Sequence, residues 1–539
     1  MINRRRFMGT TLLGGAGLLS SGCPASKDTN PSVTPDYTVK PFELDELSIA
    51  DLQDRMSTGQ LTAQSITNLY LHRIDELDRE GPELASIIET NPQAIEIADE
   101  LDRERQSLGP IGPLHGLPVI LKDNIYNADK MTTTSGSLAL EGSIPAQDSF
   151  VAQKLREAGA IILAKANLSE WANFRSTMSS SGWSSRGGQC RNPYALDRNP
   201  CGSSSGSAVA IAANLGTIAI GTETDGSIVC PSTRNGIVGI KPTVGLISRS
   251  GIIPISHIQD TAGPMARTVR DGATMLGAIT GMDKRDSATA AGEGNSYSDY
   301  TQFLENEGMR NARIGVVRNF SGFDRRVLSV LDEALSAMAS DGAIIIDPAD
   351  VPNMEKYDES EFEAMMYEFK AGLNKYLANL GPAAPVKNLS EVITFNEENQ
   401  DRSMPFFGQE ILIASDEKGP LSDRIYQDAL SNNRRYSRSE GIDAVMNKHS
   451  LDALVAPTGN PAWVTDHING DQGSGYSSRP AAVAGYPSIT VPMGFVAGLP
   501  VGISFFGRAW SEPTLLRIAY AYEQANTHRY PPKFLKTLG

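Results

Sequence analysis

Cysteine is nearly absent from this chain. Four residues in 539, Cys23, Cys190, Cys201 and Cys230, carry thiols, and none stands at a Cys/His spacing that would hold a metal. No metal and no cofactor is expected. If Cys23 is set apart, the remaining three allow at most one disulfide and leave one thiol over. Positive charge is also short: 48 Lys and Arg stand against 63 Asp and Glu, a formal balance of −15. That balance argues against nucleic acid as a partner. No internal repeat is present, which sets repeat architectures aside. What the chain does have is length and apolar content, 539 residues at 40% hydrophobic, enough for a large core or two domains.

The N-terminus has its own composition. Asn3-Arg4-Arg5-Arg6-Phe7-Met8 is followed by an apolar, Gly/Leu-rich segment and by Leu19-Ser20-Ser21-Gly22-Cys23. A basic flank, a short apolar core and small residues before a cut site read as an export signal over residues 1–22. The paired arginines resemble a twin-arginine signal, and Leu19 to Cys23 resembles a lipobox that would make Cys23 the lipidation site. The apolar segment is too short for a spanning helix. Residues 23–40, rich in Pro, Ser, Thr and Asp, read as a flexible tether. The expectation is an exported lipoprotein, periplasmic or at the cell surface, held to a membrane by its N-terminal lipid.

Beyond the tether, helical and strand patterns alternate. Ser48-Ile49-Ala50-Asp51 is a capping box, and Thr62 caps a longer helix. Pro118 to Leu121 is a short apolar strand with Lys122 at its end, and Ala160 to Ala164 is a second, ending at Lys165. Arg313 to Val317, Asp324 to Ala339 and Ala343 to Ile346 form a strand–helix–strand unit. Such alternation indicates an α/β layer architecture. Residues 284–300 read as a surface excursion. A charged helix is expected from about Glu359 to Leu380, within a decorative helical insertion over about 350–450.

The chemistry is concentrated between Asn199 and Pro231. Gly202-Ser203-Ser204-Ser205-Gly206-Ser207 and Gly221-Thr222-Glu223-Thr224-Asp225-Gly226-Ser227 are two clusters of small, hydroxyl-bearing residues. An Ala-rich apolar run, Ala208 to Leu215, and a short strand, Ile218 to Ile220, separate them. Glycine and serine at both ends of one rigid unit place exposed N–H groups where a reacting carbonyl could sit. Gly202 to Gly206 also fits the G-x-S-x-G elbow, which would make Ser204 a nucleophile, with His257, His449, His467 and His528 downstream as partners. That elbow needs a strand just before it, and Asn199-Pro200-Cys201 is a poor strand end.

These clusters, with Gly116-Leu117-Pro118-Val119-Ile120-Leu121-Lys122-Asp123-Asn124, Gly236 to Gly245, Ala484 to Pro492 and Gly498 to Ile503, resemble the amidase signature family. The wording at 201–207 and 222–231 resembles its peptide amidase branch. The resemblance spans about Leu47 to Arg529. It implies a single large mixed β-sheet surrounded by helices, in an amidase domain over 41–539. It implies an amidohydrolase that cleaves linear carboxamides through an acyl-enzyme, with C-terminal peptide amides as the favoured substrates and ammonia as product. By the same resemblance Ser227 is the nucleophile, Ser203 the bridging serine after a cis peptide bond, and Lys122 the general base. Backbone N–H groups of Thr224, Asp225, Gly226 and Ser227 form the oxyanion hole, and Trp183 and Arg186 are placed near substrate. Lys165 and Lys241, each beside an apolar segment, are the alternative bases. General aliphatic, aryl or fatty amides are alternative substrates. A glutaminase-type amidotransferase A subunit is the alternative role, opposed by the export signal.

Overall fold

Short apolar runs bounded by Gly, Pro or Asn are too brief for helices, and here they become strands that stack side by side. The computed structural model describes residues 37–381 and 384–538. In chain order the first strands are β1 (Ile87–Thr90), β2 (Pro118–Lys122), β3 (Ile161–Ala166), the small antiparallel pair β4 (Trp183–Ser184) and β5 (Gly188–Gln189), and β6 (Ile218–Glu223). Then come β7 (Val238–Lys241), β8 (Thr261–Ala266), β9 (Arg313–Val316), β10 (Ile344–Ile346), β11 (Ala453–Pro457), β12 (Ser488–Val496) and β13 (Leu499–Phe506). Eleven of them make one sheet in the order β1-β3-β2-β6-β8-β7-β12-β13-β11-β9-β10.

The sheet is mixed, with two parallel stretches, and one of them holds Lys122 and the strand that leads into the second serine cluster. β2 runs parallel to both β3 and β6, in register Leu121 opposite Ile220 and Lys165. All three strands are buried along their whole length. A parallel strand needs a crossover, and between β3 and β6 that role includes the helix Ser205–Ala212, which packs on β2, β3 and β6. Every residue of this helix is buried, as an element apolar on all sides must be.

The described chain begins inside the fold. Tyr37 and Val39 pack against the core, and the Tyr37 hydroxyl donates to the Phe534 carbonyl at 2.5 Å. The last residues of the 23–40 segment therefore belong to the folded body. The export signal and Cys23 lie outside the described residues. No helix among the described residues is long and apolar enough to cross a membrane. Residues 284–300 do not float free: Asp286 pairs with Arg249 at 2.6 Å and Tyr300 is fully buried.

Between β10 and β11 lie the helices Asp358–Asn379, Leu389–Glu398, Glu410–Asp416, Arg424–Arg434 and Asp443–His449. They are structural partners of the sheet domain. Phe369, Leu373, Leu389 and Leu412 share a core with Trp171, Phe174 and Ile253. One buried ion pair fastens this joint. Arg175 reaches Glu170 and the Ser403 carbonyl, and its Nε donates to the Gly408 carbonyl at 3.2 Å. The other Glu170 oxygen accepts the Ser185 N–H at 2.6 Å. Removing one partner leaves the other charge buried and uncompensated, so Arg175→Leu is expected to destabilise the protein by about 3–5 kcal/mol in urea unfolding. A loss under ~1 kcal/mol would mean that the pair is replaceable by apolar packing.

Candidate active site

Lys122 is the last residue of β2, and burial on both faces leaves it no solvent. Its Nζ lies 2.7 Å from Ser203 Oγ, 2.9 Å from Thr222 Oγ1 and 3.2 Å from the Thr222 carbonyl. Asn124 Nδ2 donates to the same Thr222 hydroxyl at 3.0 Å. Burial lowers Lys122 from its ordinary value to about 7, against the opposing charges of Asp260 and Glu223. Lys165 and Lys241 are also buried and lowered to about 8 by burial. Neither makes a hydrogen bond to a serine cluster, although Lys241 feels the charges of Glu223 and Asp225. Lys165 Nζ binds the Ile125 carbonyl at 2.5 Å and Thr133 Oγ1 at 2.8 Å, and Lys241 Nζ binds the Tyr486 carbonyl at 2.6 Å. Lys122 alone of the three touches Ser203.

The first serine cluster sits between the sheet and the helix it starts. The Gly202–Ser203 peptide is cis. Ser204 is wholly buried; its hydroxyl donates to the Thr222 carbonyl at 3.0 Å and accepts the Thr222 N–H at 3.2 Å. That hydroxyl stitches the cluster to β6. Ser205 donates to the Cys201 carbonyl at 2.6 Å and Ser207 to the Ile220 carbonyl at 3.2 Å.

The second cluster is the turn from β6 into the short helix Val229–Arg234. Gly226 makes the turn possible, with φ of 77°, a conformation that a side chain disfavours. Glu223 accepts the N–H groups of Ile228 and Val229 at 2.8 and 3.0 Å, which fixes the backbone just past Ser227. Thr224 Oγ1 donates to Asp260 at 2.6 Å, and burial raises Asp260 to about 6. Among the described residues, no hydrogen-bond acceptor meets the N–H groups of Asp225, Gly226 or Ser227. The two clusters meet directly: the Ser204 N–H donates to the Ser227 carbonyl at 3.1 Å, and a disulfide joins Cys201 to Cys230. Cys190 is left as a buried thiol.

A cavity of about 710 Å³ opens over this junction, with Cys201, Gly202, Asp225, Gly226 and Cys230 in its floor. Its walls come from residues 319–322, 354–358 and 473–480. Arg479 at the rim lies 3.7 Å from Asp225, 3.2 Å from Glu361 and 2.6 Å from Asp358. Burial, and next the Asp225 carboxylate, raise Glu361 to about 8. Trp183 and Arg186 lie elsewhere. Trp183 is buried edge-on against Phe406 and Phe407, and Arg186 pairs with Glu89 at 3.0 Å. Sequence reasoning missed the wall residues Asn173, Asp471, Tyr476 and Arg479. Asp471 and Tyr476 sit in irregular loops, Asn173 ends a short 3₁₀ helix and Arg479 opens the helix Arg479–Ala484; none belongs to a motif, and only Asn173 is within sixty positions of a serine cluster. Among the described residues no group of three or more His, Cys, Asp or Glu could hold a metal.

The amidase family profile matches residues 65–516, most of the folded body. The chain belongs to the amidase family. It is a hydrolase of amide C–N bonds. This amidase is 42% identical to a probable amidase of Arabidopsis thaliana over 92% of its length and 93% of the relative's. It is 37% identical to a putative amidase of Schizosaccharomyces pombe, over 95% of this chain and 90% of that one. Among solved structures it resembles a peptide amidase in complex with the competitive inhibitor chymostatin. That match has 51% identity and a TM-score of 0.89, and covers 91% of this chain and 100% of the other. The mixed eleven-strand sheet wrapped by helices is thus the fold of the amidase signature.

These findings correct the localisation. Two of the relatives that match the amidase nearly end to end come from a plant and a yeast, outside the bacterial lipoprotein route. They lend no support to a twin-arginine signal, a lipid at Cys23 or a membrane anchor. The exported-lipoprotein reading is withdrawn.

Proposed function

We propose that the amidase hydrolyses C-terminal amides of peptides, with Ser227 as nucleophile, Ser203 as proton bridge and Lys122 as base. The carrying observation is the 2.7 Å contact of a fully buried lysine with Ser203 Oγ. A neutral amine has two N–H groups and one lone pair. The two Thr222 oxygens take the N–H groups, so the lone pair is left for the Ser203 hydroxyl proton. In this reading Ser227 Oγ attacks the amide carbon and gives its proton to Ser203, whose own proton passes to Lys122 Nζ. The N–H groups of Thr224, Asp225, Gly226 and Ser227 receive the oxyanion. Collapse returns the proton to the leaving nitrogen and releases ammonia; water then cleaves the acyl-enzyme by the same relay in reverse.

Support for peptides is twofold. The peptide amidase of known structure matches over its whole length at 51% identity, and a cavity of about 710 Å³ has room for a peptide chain. The test compares a dipeptide amide, that dipeptide extended by one residue, an aliphatic amide and a fatty amide. Fast ammonia release from the dipeptide amide is expected, with the extended peptide left intact and chymostatin competing. A higher kcat/KM for the aliphatic or fatty amide would reject the peptide assignment. Withdrawal of the export reading also removes the argument against an amidotransferase A subunit, so the assay uses the purified chain alone. Glutamine as the one substrate, cleaved only with an added partner protein, would favour that role.

A further inference from the structure

The joint between the two serine loops contains an arrangement that amide hydrolysis does not require. Cys201 immediately precedes the Gly202–Ser203 peptide, and Cys230 lies in the first turn of the helix that follows Ser227, its N–H donating to the Gly226 carbonyl at 2.7 Å. Both line the floor of the cavity and are only 4% and 5% exposed. One turn further on, Arg234 is completely buried. Its Nη1 donates to Cys230 Sγ at 2.9 Å, and its Nε and Nη2 have no hydrogen-bond partner. Trp463 and Tyr476 present their ring faces to the guanidinium at 4.9 and 5.1 Å. Among the described residues no carboxylate forms an ion pair with it. A buried cation whose one side-chain acceptor is a disulfide sulfur is under-compensated. It would be compensated if that sulfur carried a negative charge.

We infer that the Cys201–Cys230 disulfide is a reducible clasp on the two serine loops, and that Arg234 is the counter-ion of the Cys230 thiolate formed when a dithiol opens it. The thiolate of a small dithiol enters through the cavity and attacks Cys201 Sγ. The S–S bond breaks, and its electron pair leaves on Cys230 Sγ as a thiolate held by Arg234. The second thiol of the reagent attacks its own sulfur in the mixed disulfide, freeing Cys201, which takes up a proton. Two electrons pass from reagent to protein, and the reagent leaves as a cyclic disulfide. Other charged groups near the site are already engaged. The Asp471 carboxylate attracts Arg234 from beyond ion-pair distance and accepts from Ser181 and Trp463, Asp225 accepts from Ser478, and the Tyr476 ring stacks on Arg234 itself. Arg234 is the group in contact with the sulfur.

Opening the clasp frees the segment that carries Ser203 from the helix that follows Ser227. A relative displacement of ~1 Å is enough to cost about 100-fold in rate. The effect on turnover rests on the proposed roles of those serines; the thiol chemistry does not. The whole protein is treated with dithiothreitol without denaturant, alkylated and mapped by mass spectrometry. In parallel, kcat and KM are measured on a dipeptide amide. Alkylation at Cys201 and Cys230, a fall in kcat of about 10- to 100-fold, and recovery with oxidised glutathione are expected. Failure to open the bond under native conditions, or full reduction with kcat unchanged, overturns the clasp. Cys201→Ser isolates Cys230, whose alkylation midpoint is expected at least about one pH unit below the ordinary thiol value near 8.5. Arg234→Met in that background is expected to raise the midpoint, and an unmoved midpoint would remove Arg234 from the proposal. If no amide is hydrolysed at all, the proposed function fails while these midpoints still decide the thiol chemistry.

Discussion

Ser227→Ala is expected to lower kcat by about 10⁴-fold or more, down to what binding and oxyanion contacts alone provide. The hydroxyl is the atom that forms the acyl bond in the proposed mechanism, and nothing adjacent replaces it. Ser204, the nearest rival, is fully buried with its hydroxyl committed to β6 in both directions. Ser203→Ala breaks the relay but keeps the nucleophile, so a loss of about 10²–10⁴-fold is expected, seen in kcat more than in KM. The two variants should unfold at nearly the same temperature as the parent, which separates chemistry from stability. Steady-state ammonia release with circular dichroism melting makes the measurement. A dead Ser204→Ala beside an active Ser227→Ala would move the nucleophile to the first cluster and restore the elbow reading.

The pH dependence is the second large effect. Burial brings Lys122 to about 7, and the proposed base works only as the neutral amine. Activity is therefore absent when the lysine is charged, rises as pH climbs through about 7, and levels off above it. Two pH units below that midpoint, kcat/KM is expected to be about 100-fold under its plateau. The neighbours set the position of the limb. Asp260 and Glu223, when ionised, favour the charged lysine and so raise its pKa. Glu223→Gln removes one negative charge and is expected to shift the limb to lower pH. Lys122→Met should leave residual activity with no such limb. A limb that rises toward acid, or one that survives in Lys122→Met, would exclude this lysine as the base.

The active-site strands are legible from local pattern. Pro118 to Leu121 and Ile218 to Ile220 are apolar runs too short for helices, and they become neighbouring parallel strands inside the sheet. Lys122 at the end of one and the serine clusters around the other stand out in the residues themselves, because strand ends and turns deliver side chains to one edge of a sheet. The helix between the clusters also follows from composition. Its Ala-rich run needs burial on all sides, although the helix begins at Ser205, earlier than the apolar residues suggest. Serine at a helix start can hydrogen-bond back to the preceding loop, as Ser205 does to the Cys201 carbonyl.

Other positions are held by contacts that lie far along the chain. Trp183 packs against residues 406–407 and Arg186 pairs with the Glu89 carboxylate, partners that no local pattern around either residue announces. The helices of 358–449 look decorative by composition. Yet Glu361 accepts from Gln259, which also donates to the Thr224 carbonyl of the proposed oxyanion turn.

The α/β class, the serine clusters, the lysine that ends β2 and membership of the amidase family are all written in the linear sequence, as properties of short segments with their own periodicity or motif. Folding in three dimensions decides which of three buried lysines meets a serine, which two of the cysteines pair, and which loops wall the cavity. Those outcomes depend on contacts between residues up to hundreds of positions apart. Such contacts are set by the order of strands in the sheet, to which no local pattern is sensitive.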